Sequence, residues 1–364
     1  MRTNCVPSHI IKSRVEKIRR IMNEVDARSL LLTRPENVQY VTGFNVVGNP
    51  PKVTWALIVE DKDVAYLLVP PLEYYEALDD VKSADIVQLP QSRKVIETLI
   101  AFLKSVKTPL PLYVDSLYQV DLINAIKHEY DMQVVKTLEH EIEGLRAKKD
   151  EYEIMCISEA IRKAKKGLDR AYEVLSEGIK ETTLAAEIEK AVREEDVEAM
   201  AFDIIVASGP RSSYPHARPS LRQIKKGESV IVDLGVRVCG YCSDLTRTFI
   251  VGHNLEVREV LNCVVEAQRE AIVHVRSGVK ASSIDERART FLRDKMLSEY
   301  FLHGLGHGVG LSIHERPTLS SLSEDILEEG NIITVEPGVY IKGRFGVRYE
   351  DMVLVTNNGW VKLS

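Results

Sequence analysis

The feature that most constrains this chain is a repeat. Lys226-Gly-Glu-Ser-Val-Ile-Val-Asp-Leu-Gly235 lies over Glu329-Gly-Asn-Ile-Ile-Thr-Val-Glu-Pro-Gly338. Gly227 falls on Gly330, Val232 on Val335, Asp233 on Glu336 and Gly235 on Gly338, and a second acid follows each copy, Asp244 and then Glu350. The order of elements repeats as well. Ile154, Ile157, Ile161, Ala164, Leu168, Ala171 and Leu175 step by three and four, which predicts one long amphipathic helix ended by Gly178. A second helix is expected over 182–196, with Thr182 and Thr183 as its N-cap, followed by strands over Glu228–Val251. Two more helices, over 255–277 and 282–298, precede strands from 331 to the end. A short match alone carries little weight. Joined to a repeated element order, it marks a duplicated, pseudo-symmetric domain.

The chain of 364 residues is long enough for a second domain. Residues 1–136 read as a smaller α/β domain and 137–364 as the duplicated one. In the first, a helix over 9–26 precedes the apolar run Ser29–Thr33. A hairpin follows from Thr54–Glu60 and Asp63–Val69, turning at Asp61-Lys62. Helices over 93–105 and 117–129 and a strand over Met132–Val135 complete it. This part holds no glycine-rich phosphate loop and no cluster of metal-ligand residue types. The charged run Arg146–Glu153 reads as a solvated helix start and hinge.

A net charge of −6 leaves no electrostatic footprint for nucleic acid. Near the start, Lys12, Arg14, Lys17, Arg19 and Arg20 raise the question of a transit peptide. Ile11, Val15, Ile18 and Met22 recur at helical spacing and Glu16 interrupts the charge, so an ordinary amphipathic helix is expected. No apolar run reaches the ~18 residues of a membrane span. The expected location is the cytoplasm, with neither membrane nor nucleic acid as partner. Cys239-Gly-Tyr-Cys242 has no second cysteine pair behind it and sits between strands, so a structural or incidental role is expected, with thiols reduced.

The chemistry lies in the acids. Asp233 follows Val-Ile-Val and Glu336 follows Ile-Ile-Thr-Val, and apolar strands rarely end on carboxylates by accident at equivalent places. If pseudo-symmetry brings the copies together, Asp233, Asp244, Glu336 and Glu350 converge. Their repulsion and desolvation then demand cations. Two divalent ions balance four carboxylates, and one neutral imidazole can complete the shell. The segment His303-Gly-Leu-Gly-His-Gly-Val-Gly-Leu-Ser-Ile-His-Glu315 is the obvious donor. The His303/His307 spacing suits a helical zinc site, but each interior glycine costs a helix about 1 kcal/mol. Gly304 also occupies the place where that motif needs glutamate. The glycines read instead as points where backbone passes close to another group. Oxygen-rich sites with one nitrogen suit Mn²⁺ or Co²⁺, with Zn²⁺ or Fe²⁺ as alternatives. Paired metals of this kind activate water and polarise carbonyls.

The motifs VIVDLG, GYCSDLTRTF, HGLGHGVGLSIHE, ITVEPGVY and GVRYEDMVLVT resemble, in order, those of the M24 metallopeptidases, in the branch of the prolidases and Xaa-Pro aminopeptidases. The likeness covers most of 137–364, and the N-terminal part more weakly resembles the creatinase-type domain that precedes it in these enzymes. It implies an α+β protein whose C-terminal pita-bread domain follows a smaller α/β domain. It further implies two divalent metal ions held by Asp233, Asp244, His307, Glu336 and Glu350, with Asp244 and Glu350 bridging. His314 and His216 match active-site histidines, Glu336 the proton shuttle and Arg348 an arginine beside the last ligand. A bridging hydroxide would then cleave the bond between an N-terminal residue and proline in a small peptide, in a protein that forms a homodimer. His303 is not a ligand position in the family and is read as structural.

There is one departure. Many prolidases place an arginine after the substrate histidine, in a His-Glu-x-Pro-Arg run, where it can bind a dipeptide's free carboxylate. Here the run is His314-Glu-Arg-Pro-Thr318. Thr318 cannot make that ion pair, which weakens strict dipeptidase action and leaves aminopeptidase action on longer peptides open. Methionine aminopeptidase shares the ligand set but lacks such an N-terminal domain. Creatinase has lost the ligands. A non-catalytic pita-bread protein would be expected to lose ligands that this chain keeps, and a thiol redox protein would depend on Cys239 and Cys242.

Overall fold

The computed structural model describes residues 6–47, 52–92 and 94–364. It divides into two compact units, Met1–Arg146 and Ala147–Ser364. In the first, one six-stranded sheet runs in the order β4-β3-β2-β1-β5-β6. Its strands are β1 (Ser29–Leu32), β2 (Trp55–Val59), β3 (Ala65–Val69), β4 (Ala84–Gln88), β5 (Leu112–Val114) and β6 (Lys136–Thr137). Six helices accompany them: α1 (Ser8–Glu24), α2 (Pro35–Thr42), α3 (Tyr74–Asp80), α4 (Val95–Ser105), α5 (Val120–Glu129) and α6 (Glu139–Ala147).

The hairpin turning at Asp61-Lys62 forms as the antiparallel pair β2/β3. Helix α1 buries Ile11, Val15, Ile18 and Met22, the stripe visible in the letters. The strand expected over Met132–Val135 lies instead at Lys136–Thr137, where Tyr113 and Val114 offer a parallel edge. Val135 is buried as a core residue without joining the ladder. Leu31, Leu57, Leu68, Leu99, Leu103 and Ile126 belong to the hydrophobic core of this unit.

The second unit opens with α7 (Glu151–Val174) and α8 (Glu181–Arg193). Asp150 and Glu153 close α7 in a capping box, so the charged stretch begins with a specific start signal. The cap expected at Thr182 and Thr183 is not there: Lys180 occupies the position and gives no side-chain cap. The first of these helix amides are met by loop carbonyls, with Glu181 bonded to Arg222 and Thr182 to Ser220. Strands β7 (Ala199–Met200), β8 (Ile205–Ser208), β9 (Ser229–Leu234), β10 (Val236–Val238), β11 (Tyr241–Cys242) and β12 (Leu245–Ile250) follow.

The second copy then begins with α9 (Leu255–Ile272) and α10 (Ala281–Asp294), each shorter than expected at its C-terminal end. It continues through β13 (Gly306–Gly308), β14 (Glu315–Leu319), β15 (Ile332–Val335), β16 (Gly338–Ile341), β17 (Phe345–Arg348), β18 (Asp351–Thr356) and β19 (Gly359–Lys362). The duplication extends to backbone detail. Gly227 and Gly330 both take positive φ, at 84° and 91°, in the turns that launch β9 and β15. Isolated bridges Lys180–Gln223 and Lys280–Ile326 recur ahead of α8 and α10. Among the described residues no helix is long and apolar enough to cross a membrane.

Candidate metal centre

Strand pairing brings the acids together. In β9/β12 Asp233 stands opposite Thr246. Continuing that register places Asp244 opposite Gly235, so period-two alternation puts Asp233 and Asp244 on one face. In β15/β18 Val335 stands opposite Asp351, and the next step of the same ladder sets Glu336 against Glu350. The sheets join through Thr246, whose Oγ1 donates to Glu350 Oε2 at 2.8 Å, while the Glu350 amide donates to the Thr246 carbonyl at 3.2 Å.

His307 enters from β13. Its Nε2 lies 3.2 Å from Glu336 Oε1 and 3.6 Å from Asp244 Oδ2. Ligand atoms of Asp244, His307 and Glu350 all fall within 4.8 Å of one another. Two oxygens decide what this cluster can hold. Asp233 Oδ1 and Glu350 Oε1 are buried, and no hydrogen-bond donor of the described residues reaches either. Buried acceptors are seldom left without partners. A divalent cation among hard oxygen ligands and one imidazole is the partner that fits both atoms and the charge.

The electrostatics agree. Burial, followed by the charges of Glu350, Asp233 and Glu336, pushes the Asp244 carboxyl well above the usual range. Burial and the charges of Glu336 and Asp233 do the same to Glu350. Burial also raises Asp233, opposed by Arg348. Glu336 goes the other way: burial works to raise it, but His307's hydrogen bond and the nearby charges of His307, His303 and Arg348 bring it to about 2.

Around the cluster runs a chain of hydrogen bonds that the sequence did not disclose. The Arg348 guanidinium donates to Asp233 Oδ2 at 2.5 Å, to Thr246 Oγ1 at 3.2 Å, to the Tyr340 hydroxyl at 2.7 Å and to the Pro215 carbonyl at 3.3 Å. Tyr340, whose hydroxyl burial pushes up to about 12, lies 2.9 Å from His303 Nε2. The His303 Nδ1 faces the Gly304 carbonyl at 2.7 Å, so Nδ1 donates there and Nε2 accepts from Tyr340. His303 thus touches the carboxylates only through Tyr340 and Arg348. Alternation along Ser-Asp-Leu-Thr could have pointed to Thr246, two residues from Asp244. Nothing in the letters pointed to Tyr340.

The remaining histidines are on loops. The His314 ring stands 4.2 Å from that of His307 at 80°. Burial, then the neighbouring His307 and His216 rings, hold its imidazole below the ordinary range. His216 is exposed, and its neighbour Pro215 is the residue tied to Arg348. Arg316 is drawn onto Asp325, with Nε 3.1 Å from Oδ1, while Thr318 is exposed. Cys239 and Cys242 do not form a pair. Cys239 hydrogen-bonds with Cys156 of α7, and Cys242 Sγ faces the Leu311 carbonyl at 3.8 Å.

The glycines of the histidine segment are close-approach positions. A Cβ on Gly306 would run into the Thr334 carbonyl, and one on Gly308 into that of Arg316. Thr334 Oγ1 in turn receives the His307 amide at 3.0 Å and donates to Glu336 at 3.2 Å. Gly306→Ala is therefore expected to destabilise the chain by about 1–3 kcal/mol, the usual cost of overpacking. A urea midpoint equal to that of the parent protein would show that Thr334 can simply move aside.

Comparison with known proteins places these features. The model of metallopeptidase family M24 matches residues 155–357, and that of the creatinase/prolidase N-terminal domain matches 14–148. The Xaa-Pro dipeptidase of Pyrococcus furiosus is 36% identical over 97% of this chain and 98% of its own length. Among solved structures, the prolidase of Pyrococcus horikoshii OT3 superposes with a TM-score of 0.88 at 35% identity, covering 96% of this chain and 97% of its own. The X-Pro aminopeptidase of Thermotoga maritima MSB8 gives 0.86 at 30%, covering 96% and 97%. The chain belongs to metallopeptidase family M24, with a pita-bread catalytic domain behind a creatinase/prolidase N-terminal domain.

Proposed function

We propose that this protein is a metal-dependent Xaa-Pro peptidase that hydrolyses the bond between an N-terminal residue and proline. The observation that carries the reading is the gathering of Asp244, His307 and Glu350 ligand atoms within 4.8 Å, with Glu336 against His307 and with Asp233 Oδ1 and Glu350 Oε1 buried without donors among the described residues. In this reading Asp233, Asp244, His307, Glu336 and Glu350 hold two divalent ions, Mn²⁺ or Co²⁺ by the chemistry of the donor set. Such ions supply acidification of the attacking water and polarisation of the scissile carbonyl.

The chain's own residues do the rest. Glu336, ionised and hydrogen-bonded to Thr334, takes the proton of the attacking water and returns it to the prolyl nitrogen as the bond breaks. His314 donates to the developing oxyanion, and a ring with a depressed pKa can do so in its neutral form through the nitrogen that carries its proton. Arg348 opposes the burial that raises Asp233 and aims its carboxylate, with Tyr340 as the buttress on its far side. His216 closes the site from the loop whose Pro215 carbonyl Arg348 holds. The reading includes a homodimer acting in the cytoplasm, supported by the family likeness; sedimentation equilibrium of the purified chain checks the dimer.

Substrate length follows from Arg316 and Thr318. With Arg316 engaged by Asp325 and threonine at 318, the run after His314 offers no cation to a dipeptide carboxylate. Cleavage is therefore expected for longer peptides with proline second as well as for Xaa-Pro dipeptides. The test is the metal-loaded enzyme assayed side by side on Ala-Pro and Ala-Pro-Ala-type substrates. The expected kcat/KM values lie within about tenfold of each other, a difference of one hydrogen-bonded charge at most. Metal-loaded protein that cleaves neither would sink the reading.

A further inference from the structure

We propose that the buried ion pair Lys149–Glu315 is a positioning device that holds His314 over the site; this rests on the role given to His314 above. Lys149 Nζ lies 2.6 Å from Glu315 Oε1, with the lysine side chain 0% and the glutamate side chain 8% exposed. Neither residue belongs to the carboxylate cluster or to the chain of hydrogen bonds around it.

The pair ties two segments that the chemistry needs in register. Lys149 is fixed by its backbone, its amide donating to the Gly330 carbonyl at 2.9 Å, beside the bridge Lys148–Asn331 at the entrance to β15. That strand ends at Glu336. Glu315 follows His314 directly and opens β14. Its second oxygen faces the Ser312 amide at 3.4 Å, so the carboxylate closes the turn from 310 to 315 from within. The Gly310 amide donates to the Ser312 carbonyl at 3.0 Å, and its own carbonyl accepts from Cys242 at 2.8 Å. A Cβ at Gly310 would collide with the Glu315 carboxylate, so the turn is shaped around that group.

His314 is itself exposed, on a segment of bends rather than regular structure. Its ring packs edge-on against that of His307, and the backbone beneath it is set by the turn that Glu315 closes. Removal of Lys149 takes from the buried Glu315 carboxylate an ammonium 2.6 Å away, and breaking one side of a buried pair is far costlier than never burying the pair. The cheapest relief is for Glu315 to swing to solvent and carry His314 with it.

The experiment uses full-length, metal-loaded protein and three variants: Lys149→Met, Glu315→Leu and the double apolar pair. Each single change is expected to lower kcat about 10–100-fold, as displacement of a catalytic group by about 1 Å does, with KM within about threefold. In a His314→Ala background, Lys149→Met is expected to add less than about twofold, because the residue it positions is gone. Amide exchange over 310–315 is expected to rise at least about tenfold in Lys149→Met, a readout that stands even if the peptidase reading fails. The double variant, an apolar pair replacing an ionic one, keeps the chain folded where a single change does not. It is expected to regain melting temperature without regaining kcat. The proposal is overturned by parental kcat in folded Lys149→Met, by an undiminished loss in the His314→Ala background, or by unchanged exchange over 310–315.

Discussion

Glu350→Gln protein is expected to lose peptidase activity by more than about 10³-fold and most of its divalent-metal binding with it. The loss should exceed the roughly 10–100-fold that follows removal of a group merely supporting a ligand. Glutamine keeps the volume and can still accept from Thr246 through its amide oxygen, so the fold should survive. What it removes is one unit of negative charge from a cluster that no protein cation other than Arg348 neutralises among the described hydrogen-bonded partners. Metal content by elemental analysis and kcat measured on the same preparation check this. Full metal occupancy with parental activity would remove Glu350 from the site.

The same cluster gives metal removal a definite pH signature. Asp233, Asp244 and Glu350 are raised in the folded chain above their unfolded values, chiefly by burial. The folded metal-free chain therefore holds more protons than the unfolded one, and its stability falls as pH climbs above about 4. Glu336, held at about 2, contributes the opposite sign: stability present above its unfolded value and lost as pH falls through about 2. Three groups outweigh one. Metal binding reverses the trend, because the ligands must be deprotonated to receive it. The rise in melting temperature on adding Mn²⁺ or Co²⁺ is thus expected to be larger at about pH 7.5 than at about pH 5.5. An increment independent of pH would mean that these carboxyls are not the ligands.

Glu336→Gln is the second large effect, expected to reduce kcat by about 10²–10⁴-fold, the usual worth of a positioned proton-transfer group. Glu336 is proposed both to hold metal and to move a proton, and the two roles separate in measurement. If proton transfer dominates, raising the metal concentration restores occupancy but not kcat. If holding metal dominates, saturating metal restores both. Glutamine also replaces a carboxylate oxygen that lies 3.2 Å from His307 Nε2, so a changed metal affinity of modest size is expected alongside.

The duplicated architecture was legible because two physical signals coincided. Helical periodicity and strand-ending acids recur in the same order, and the turn glycines at 227 and 330 carry the same left-handed requirement. The acids stood out because carboxylates at the ends of fully buried strands demand a reason. Less legible were partners that only the pairing of strands and loops brings together. Tyr340 sits in an ordinary strand, and only β16/β17 pairing carries its hydroxyl to Arg348. Lys149 looked like part of a solvated run, yet its ammonium is fully buried because Glu315 waits beneath it. The N-cap at Thr182 failed for a similar reason. Local propensity offered a cap, but the carbonyls of Ser220 and Arg222, distant in sequence, were already there.

The span of these links has a consequence for how the chain is made. Arg348 reaches back 115 residues to Asp233, and Glu350 reaches back 104 to Thr246. During synthesis the first pair of acids emerges long before the arginine that neutralises one of them. The catalytic half therefore has high contact order at its very centre, and its assembly must wait for the strands that flank Arg348 and Glu350. Chains cut short before Arg348 carry a pair of acids that cannot be neutralised from within. A nascent chain of this kind cannot assemble the site until the segment that carries Arg348 and Glu350 has been made.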